Sequence, residues 1–358
     1  MSFLQKKKRI VIKIGSSLLV KSGKLKTVWL KSLTEDILNL RKNGTEVIIV
    51  SSGAVALGKT KIKTGKRLSL EQKRAASAIG QIHLMSQYKS CFAEHDLNIA
   101  QILITDDDSA NRDRYLNIRG TINTLLKNGI IPIVNENDSV TTLETKIGDN
   151  DRLSARIAQI AVADLLILLS DIDGLYSKNP KIDPSAEFVF KVNKIDKKIE
   201  KMAGDAVSDV GTGGMVTKIK AAKMAFNLGC DCIIASGLKM NPIKHLVASK
   251  RFTLFKASGK KINAKKQWIA DCLNANGTAI INDNAALALL KNSSLLPVGV
   301  IKIKGDFKKG DVIFVKNENS KHIANGIAKY DSSTARLAIG KNNQIELIHR
   351  DDLVLLSF

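Results

Sequence analysis

Short runs of Ile, Val and Leu recur through the first 250 residues, at Arg9–Ile14, Thr45–Val50, Ile99–Ile104, Ile130–Val134, Leu165–Leu169 and Cys232–Ala235. Runs of this kind, without polar alternation, predict strands buried on both faces, as in a parallel sheet. Between them apolar positions recur at helical spacing over Trp29–Lys42, Tyr115–Lys127, Leu153–Ala163 and Val216–Leu228. Several of these segments stop at a glycine (Gly44, Gly129, Gly229), the usual C-terminal signal of a helix. Strand and helix in alternation predict a doubly wound α/β sandwich built on a mainly parallel sheet. Ligands of such folds sit beyond the carboxyl ends of the strands. Chemistry is therefore expected on the loops that follow Ile14, Val50, Val134 and Leu169.

The pattern then changes. From Cys232 to Ala270 there is no acidic residue, while Lys250, Arg251, Lys256, Lys260, Lys261, Lys265 and Lys266 crowd together. Beyond Gly277 short apolar runs at Val300–Ile303, Val312–Val315, Ile323–Tyr330, Arg336–Ile339 and Leu353–Leu356 alternate with Gly305, Gly310, Gly326 and Gly340. These predict a small all-β module with one helix near Asn284–Lys291. The expected organisation is thus an α/β domain over residues 1–255, a basic linker over 256–276 and the β module over 277–358.

Composition narrows the field only modestly. The 358 residues are 44% hydrophobic and 25% charged, which excludes a fibrous or disordered chain. A net charge of +22 attracts polyanions but does not fix a fold. The basic start at Lys6–Arg9 precedes an apolar run that Lys13 interrupts, so neither an export signal nor a membrane span is expected. Cys91, Cys230, Cys232 and Cys272 lack the spacing of a metal site, and they predict reduced, buried thiols in a cytoplasmic protein.

One motif invites a wrong conclusion. Gly53 to Thr60 fits the phosphate-loop pattern G-x-x-x-x-G-K-T, and Asp171–Gly174 and Asn193–Asp196 complete an imitation of a GTPase. Yet Ala54-Val55-Ala56-Leu57 favours continued helix over an open nest of amides. Too few residues also separate Asp171 from Asn193 to hold the elements a GTPase needs there.

A better constellation lies at the strand ends. Lys13-Ile14-Gly15-Ser16 closes the first strand, Ser51-Ser52-Gly53-Ala54 the second, and Asn135-Glu136-Asn137-Asp138 the fourth. Gly148-Asp149-Asn150-Asp151 leads into a helix, Ser170-Asp171 ends the next strand, and Thr212-Gly213-Gly214-Met215-Val216-Thr217-Lys218 opens the last long helix. Taken singly, these acids read as helix caps, the glycines as turns and Lys218 as a solvated residue. Together, two lysines, two glycine-rich turns and several carboxylates and amides suit phosphoryl transfer, which is mainly positioning plus charge stabilisation.

These same segments resemble the glutamate 5-kinase family of the amino-acid kinase superfamily, over about residues 8–250, and the tail resembles a PUA domain. The resemblance implies an α/β amino-acid kinase fold followed by a small PUA barrel. It also implies ATP-dependent phosphorylation of the L-glutamate side-chain carboxylate, the first step of proline biosynthesis. Lys13, Lys218 and Asp151 become the expected catalytic residues, with Asp151 orienting the two lysines. Lys13, Gly15, Ser16, Ser170, Asp171, Thr212, Gly213, Gly214, Met215, Val216, Thr217 and Lys218 are expected on ATP. Ser52, Gly53, Asn135, Asp138, Asp149 and Asn150 are expected on glutamate, with a substrate lid near residues 61–76. Magnesium is expected mainly on the nucleotide phosphates, because the chain offers no dedicated protein cage.

The resemblance further implies proline as feedback inhibitor, a homo-oligomer, and a glutamyl phosphate reductase acting downstream. RNA contact through the tail belongs to a rival reading, an RNA-binding protein whose kinase part is inactive. Another kinase of the same fold is the second rival.

Overall fold

The computed structural model describes residues 2–62, 68–105, 107–108, 111–141, 150–180, 182–204, 214–257, 266, 269, 275–341 and 345–356. The chain divides into two units, one of residues 1–109 and 117–261, the other of residues 110–116 and 262–358.

The first unit is built on an eight-stranded sheet of β1 (Arg9–Ile14), β2 (Glu46–Val50), β3 (Ile99–Ile104), β4 (Ile131–Glu136), β5 (Leu165–Ser170), β6 (Lys191–Val192), β7 (Asp231–Ser236) and β8 (Phe252–Phe255). Their order across the sheet is β6-β8-β7-β5-β1-β2-β4-β3. Every pairing is parallel except β7 with β8. The six apolar runs of the sequence are the six long parallel strands. The central ones are buried along nearly their whole length because helices cover both faces.

Helices of this unit include α1 (Thr27–Lys42), α2 (Ala54–Gly58), α3 (Leu70–Ala93), most of α4 (Arg112–Lys127), α5 (Asn150–Ile160), α6 (Met215–Asn227) and α7 (Pro242–Ser249). Helix α1 shows the pattern that makes them: Trp29, Leu30, Leu33, Ile37 and Leu40 fall on one buried stripe against the sheet. The chain leaves β1 toward β2 on one side and returns to β5 on the other. The order therefore reverses at β1, and a crevice opens beyond its carboxyl end.

Several elements escaped the sequence reading, among them α3, β6, α7 and β8. The 24-residue α3 has its polar and apolar positions mixed around the axis, and so shows no clear periodicity. Its start was marked by a capping box, in which Ser69 Oγ accepts from Gln72 N–H and Gln72 Oε1 accepts from Ser69 N–H. Strand β8 lies inside the basic stretch and adds to the sheet in antiparallel sense. Lys256 and Ala257 just beyond it are held by the carboxylate of Asp231.

The second unit carries a five-stranded sheet of β9 (Gly277–Ile281), β10 (Val300–Gly305), β11 (Val312–Asn317), β12 (His322–Ile327) and β13 (Leu353–Leu355), ordered β10-β9-β11-β12-β13. Helices α8 (Asp283–Leu290) and α9 (Ser332–Ala338) pack beside it. The strand expected at Arg336–Ile339 is incorrect: residues 332–338 are α9. Asp331 caps it by accepting from Thr334 N–H at 2.8 Å, and Ala335 and Ala338 are buried at helical spacing. The cap, not the apolar count, decided the local structure. Ile269, inside the expected linker, is fully buried, and its carbonyl accepts a hydrogen bond from the Asn325 side chain.

Candidate active site

Lys13 is the next-to-last residue of the central strand. It is in register with Val50 on β2 and Leu168 on β5, near the carboxyl ends of all three strands. There its ammonium meets Asp151 Oδ1 at 2.5 Å, while Lys218 Nζ from α6 meets Oδ2 of the same carboxylate at 3.1 Å. Asp151, in the first turn of α5, has no exposed surface, and both lysines are buried beside it. Thr217 Oγ also lies 3.0 Å from Oδ2. Burial alone would push the Asp151 carboxyl up. The Lys13 and Lys218 charges and their hydrogen bonds outweigh that effect and hold it below its ordinary value. The result is a carboxylate that stays ionised and fixes two ammonium groups side by side at the mouth of a crevice.

A cavity of about 370 Å³ opens in front of the lysines. Of the residues singled out in the sequence, Lys13, Gly15, Ser16, Ser52, Gly53, Asn135, Asp138, Asn150, Ser170, Asp171 and Lys218 all line it. One wall is fixed by Asn150, whose two amide hydrogens are shared among the Ser51 carbonyl at 2.5 Å, Ser52 Oγ at 2.7 Å and Asn135 Oδ1 at 3.0 Å. Gly53 has φ of 102°, a left-handed conformation that a side chain would strain, and it turns the chain from β2 into α2. The segment after it is helical through Gly58 and then 3-10 through Lys61, so the phosphate-loop pattern is a helix, as its residue types suggest.

A second cavity, of about 950 Å³, shares Ser170, Asp171 and Lys218 with the first and continues past Asp173, Leu175, Tyr176, Gly214 and Met215. Two chambers thus meet at one lysine. Val216 and Thr217 line neither: Val216 is half-buried on α6, and Thr217 serves Asp151. Asp149, Thr212 and Gly213 lie outside the described residues. Among the described residues no group of three or more His, Cys, Asp or Glu could hold a metal ion.

Sequence reasoning missed what α3 contributes. Ser77 Oγ donates to Asp138 Oδ2 at 2.6 Å, and Arg74 donates from two nitrogens to the Thr141 carbonyl, at 3.0 and 2.6 Å. Residues three apart on one helix face therefore fix the turn that carries Asp138. Gly58 and Gly80 let α2 and α3 touch backbone to backbone: a Cβ on Gly80 would lie 1.8 Å from the Ala54 carbonyl oxygen. Glu136 also lines the cavity, buried at the end of β4.

Comparison with known proteins agrees with this architecture. Residues 8–236 match the model of the amino acid kinase family, and residues 277–349 match that of the PUA domain. A glutamate 5-kinase of Paramagnetospirillum magneticum is 45% identical over 368 aligned positions, covering 99% of this chain and all of that protein. Another, of Agrobacterium fabrum, is 48% identical and covers 97% of this chain and 92% of that one. The solved carbamate kinase of Giardia lamblia bound to AMP-PNP superposes with a TM-score of 0.51 at 16% identity, over 71% of this chain and 100% of that one, a likeness of fold.

Proposed function

The chain belongs to the amino acid kinase family, among its glutamate 5-kinases, and we propose that its two chambers bring L-glutamate and ATP together across the Lys13–Asp151–Lys218 bridge. The protein phosphorylates the side-chain carboxylate of glutamate at the expense of ATP, giving γ-glutamyl phosphate and ADP. The observation that carries the residue assignment is the buried carboxylate holding two ammonium groups at the junction of the two cavities.

The nucleophile needs no general base, because a glutamate carboxylate with an ordinary pKa of about 4.3 is already ionised at neutral pH. One of its oxygens attacks the γ-phosphorus, the bond from that phosphorus to the β–γ bridging oxygen breaks, and the electron pair leaves with ADP. The obstacle is the approach of two anions. Lys13 and Lys218 offset that repulsion and neutralise the charge that grows on the transferring group, and Asp151 keeps both ammonium groups in register. In this reading Asp138 anchors the substrate ammonium, and Asn150 with Ser52 and Asn135 shapes the wall that receives the amino acid. Ser170, Asp171, Gly214 and Met215 face the nucleotide. A magnesium ion would ride mainly on the phosphate oxygens and supply further neutralisation.

Proline carries the same ammonium and α-carboxylate but no side-chain nucleophile, which supports its competition with glutamate near Asp138 and Asn150. Buried free thiols at Cys91, Cys230 and Cys232 support a reducing, cytoplasmic setting. Among the described residues no helix is long and apolar enough to cross a membrane. Assembly into a homo-oligomer and RNA contact through the PUA domain follow only from the family likeness.

The test is to incubate the full chain with ATP, magnesium and glutamate, and to trap acyl phosphate with hydroxylamine. Hydroxamate should form, and Lys218→Ala should abolish it while glutamate still binds. Wild-type protein that yields neither hydroxamate nor ADP would overturn the reading. A fully active Lys218→Ala variant would overturn the lysine's role.

A further inference from the structure

Ser170, the last residue of β5, and Asp171 border both cavities, and the turn that Asp171 opens goes on to Asp173 and Tyr176, which line the larger one. The turn is tied internally by the Tyr176 hydroxyl and the Asp173 carboxylate. Its backbone is wedged from behind. A Cβ on Gly174 would lie 2.6 Å from Thr253 Oγ and 2.7 Å from the Phe188 ring, so the turn sits directly on β8 and on the Phe188–Val189 strand. Thr253 has no exposed surface. Its Oγ accepts from Leu175 N–H at 2.7 Å and donates to the Val189 carbonyl at 2.6 Å, joining the turn to that strand through one hydroxyl.

Arg251 closes the outer side. Its Nε donates to Asp173 Oδ2 at 2.9 Å, and its NH2 nitrogen donates to the Tyr176 hydroxyl at 3.1 Å. The Tyr176 hydroxyl in turn lies 3.0 and 3.1 Å from the two Asp173 oxygens. The guanidinium carbon lies over the Phe188 ring, 4.0 Å from its centroid, and Phe188 packs edge-on against both Tyr176 and Phe190. An isolated ion pair this exposed would contribute little. Here one planar cation is held by a carboxylate, a hydroxyl and an aromatic face at once, and only arginine offers all three contacts. Both residues it grips line the larger cavity, and both Arg251 and Thr253 lie beyond residue 236, where the match to the amino acid kinase family model ends.

We propose that Arg251, backed by Thr253, is a positioning residue for the nucleotide: it splints the Asp171–Tyr176 turn in the shape that receives ATP. The inference rests on the reading of the larger cavity as the nucleotide side. Arg251 touches neither substrate, and its effect is confined to the chamber it braces.

The experiment uses the full chain and measures KM for ATP and for glutamate separately, with the affinity for a non-hydrolysable ATP analogue and the melting temperature, for wild type, Arg251→Gln, Arg251→Lys and Tyr176→Phe. Wild-type hydroxamate formation first establishes the kinase reading independently of the splint. Arg251→Gln should raise KM for ATP and weaken the analogue about tenfold, corresponding to about 1.4 kcal/mol, with KM for glutamate within about twofold of wild type and melting unchanged. Arg251→Lys should recover only part of the loss, because it keeps a cation for Asp173 but not the second donor to Tyr176 or the guanidinium over Phe188. Tyr176→Phe should shift KM for ATP in the same direction by less. Unchanged nucleotide constants in Arg251→Gln, or constants for ATP and glutamate that worsen together with a lowered melting temperature, would show a surface ion pair or a general brace and overturn the proposal. A change confined to glutamate would overturn both the splint and the assignment of the larger cavity.

Discussion

Asp151→Asn is the sharpest perturbation available, because it keeps the size of the side chain and removes one charge from a buried group of three. In the wild type the carboxylate lies 2.5 Å from Lys13 Nζ and 3.1 Å from Lys218 Nζ with no exposed surface. At an effective dielectric of about 20, each attraction is roughly 5–7 kcal/mol, a gross figure that desolvation of the three charges largely offsets. Removal is a different matter, since it leaves two buried ammonium groups facing each other without a counter-charge. Breaking a buried pair in this way costs about 3–5 kcal/mol, which for a unit of this size lowers the melting temperature by roughly 6–20 °C. Turnover should fall by about a hundredfold or more, because the two ammonium groups lose the carboxylate that sets their separation. Calorimetry and hydroxamate release measure the two effects on one preparation. The pH dependence has a definite sign. The folded carboxyl titrates below its unfolded value near 3.9, so its stabilisation is complete above that pH and is lost as pH falls through the folded value. The stability gap between wild type and variant should therefore be constant from pH 6 to 8. A variant that melts and turns over within error of wild type would refute the picture of Asp151 as the element holding both lysines.

Two further outcomes test the frame around the site. Asp36 is buried on α1 and accepts from the Ile243 and Lys244 N–H groups at the start of α7, and burial raises its pKa to about 6. The native state then binds the extra proton between pH 6 and the unfolded value, so stability should rise on going from pH 7 to pH 4 by up to about 3 kcal/mol from this group. Denaturant titrations of wild type and Asp36→Asn should differ by that amount between the two pH values, and parallel pH profiles would contradict it. Gly80→Ala sets a methyl group 1.8 Å from the Ala54 carbonyl oxygen. It should destabilise the kinase unit by about 1–3 kcal/mol and raise KM for glutamate more than KM for ATP, because α2 must shift away from the amino-acid wall. Unaltered glutamate kinetics in a correctly folded variant would mean that the α2–α3 contact does not set that wall.

What was legible in the sequence follows from what is local. Strands buried on both faces must be apolar along their length, so β1, β2, β4, β5 and β7 stood out, and with them the strand ends, turns and helix starts at which Lys13, Ser52, Asn135, Asp138, Asn150, Ser170 and Lys218 gather. Chemistry concentrated at the ends of otherwise apolar strands is a pattern that composition at each position can carry. A cap was equally local, and neglecting Asp331 is what turned α9 into an expected strand. Helix α3 and strand β8 were hidden for the opposite reason. The first half of the buried α3 face is small or polar, with Gly80 against Ala54 and Ser77 against Asp138, while Ile79 and Ile82 stand exposed, so the apolar stripe is confined to Leu84, Tyr88, Cys91 and Phe92 at the far end.

The sequence by itself determined which residues had to lie inside and which polar groups were left at strand ends. Only the tertiary structure decided their partnerships. That one carboxylate from α5 binds lysines from β1 and α6, across 138 and 67 positions of chain, cannot be read from spacing, because no local rule relates residues so far apart. The reversal of strand order at β1 brings those ends together. In the low-dielectric crevice it creates, burial disfavours each charge alone, so the three ionised groups are stable only in one another's company.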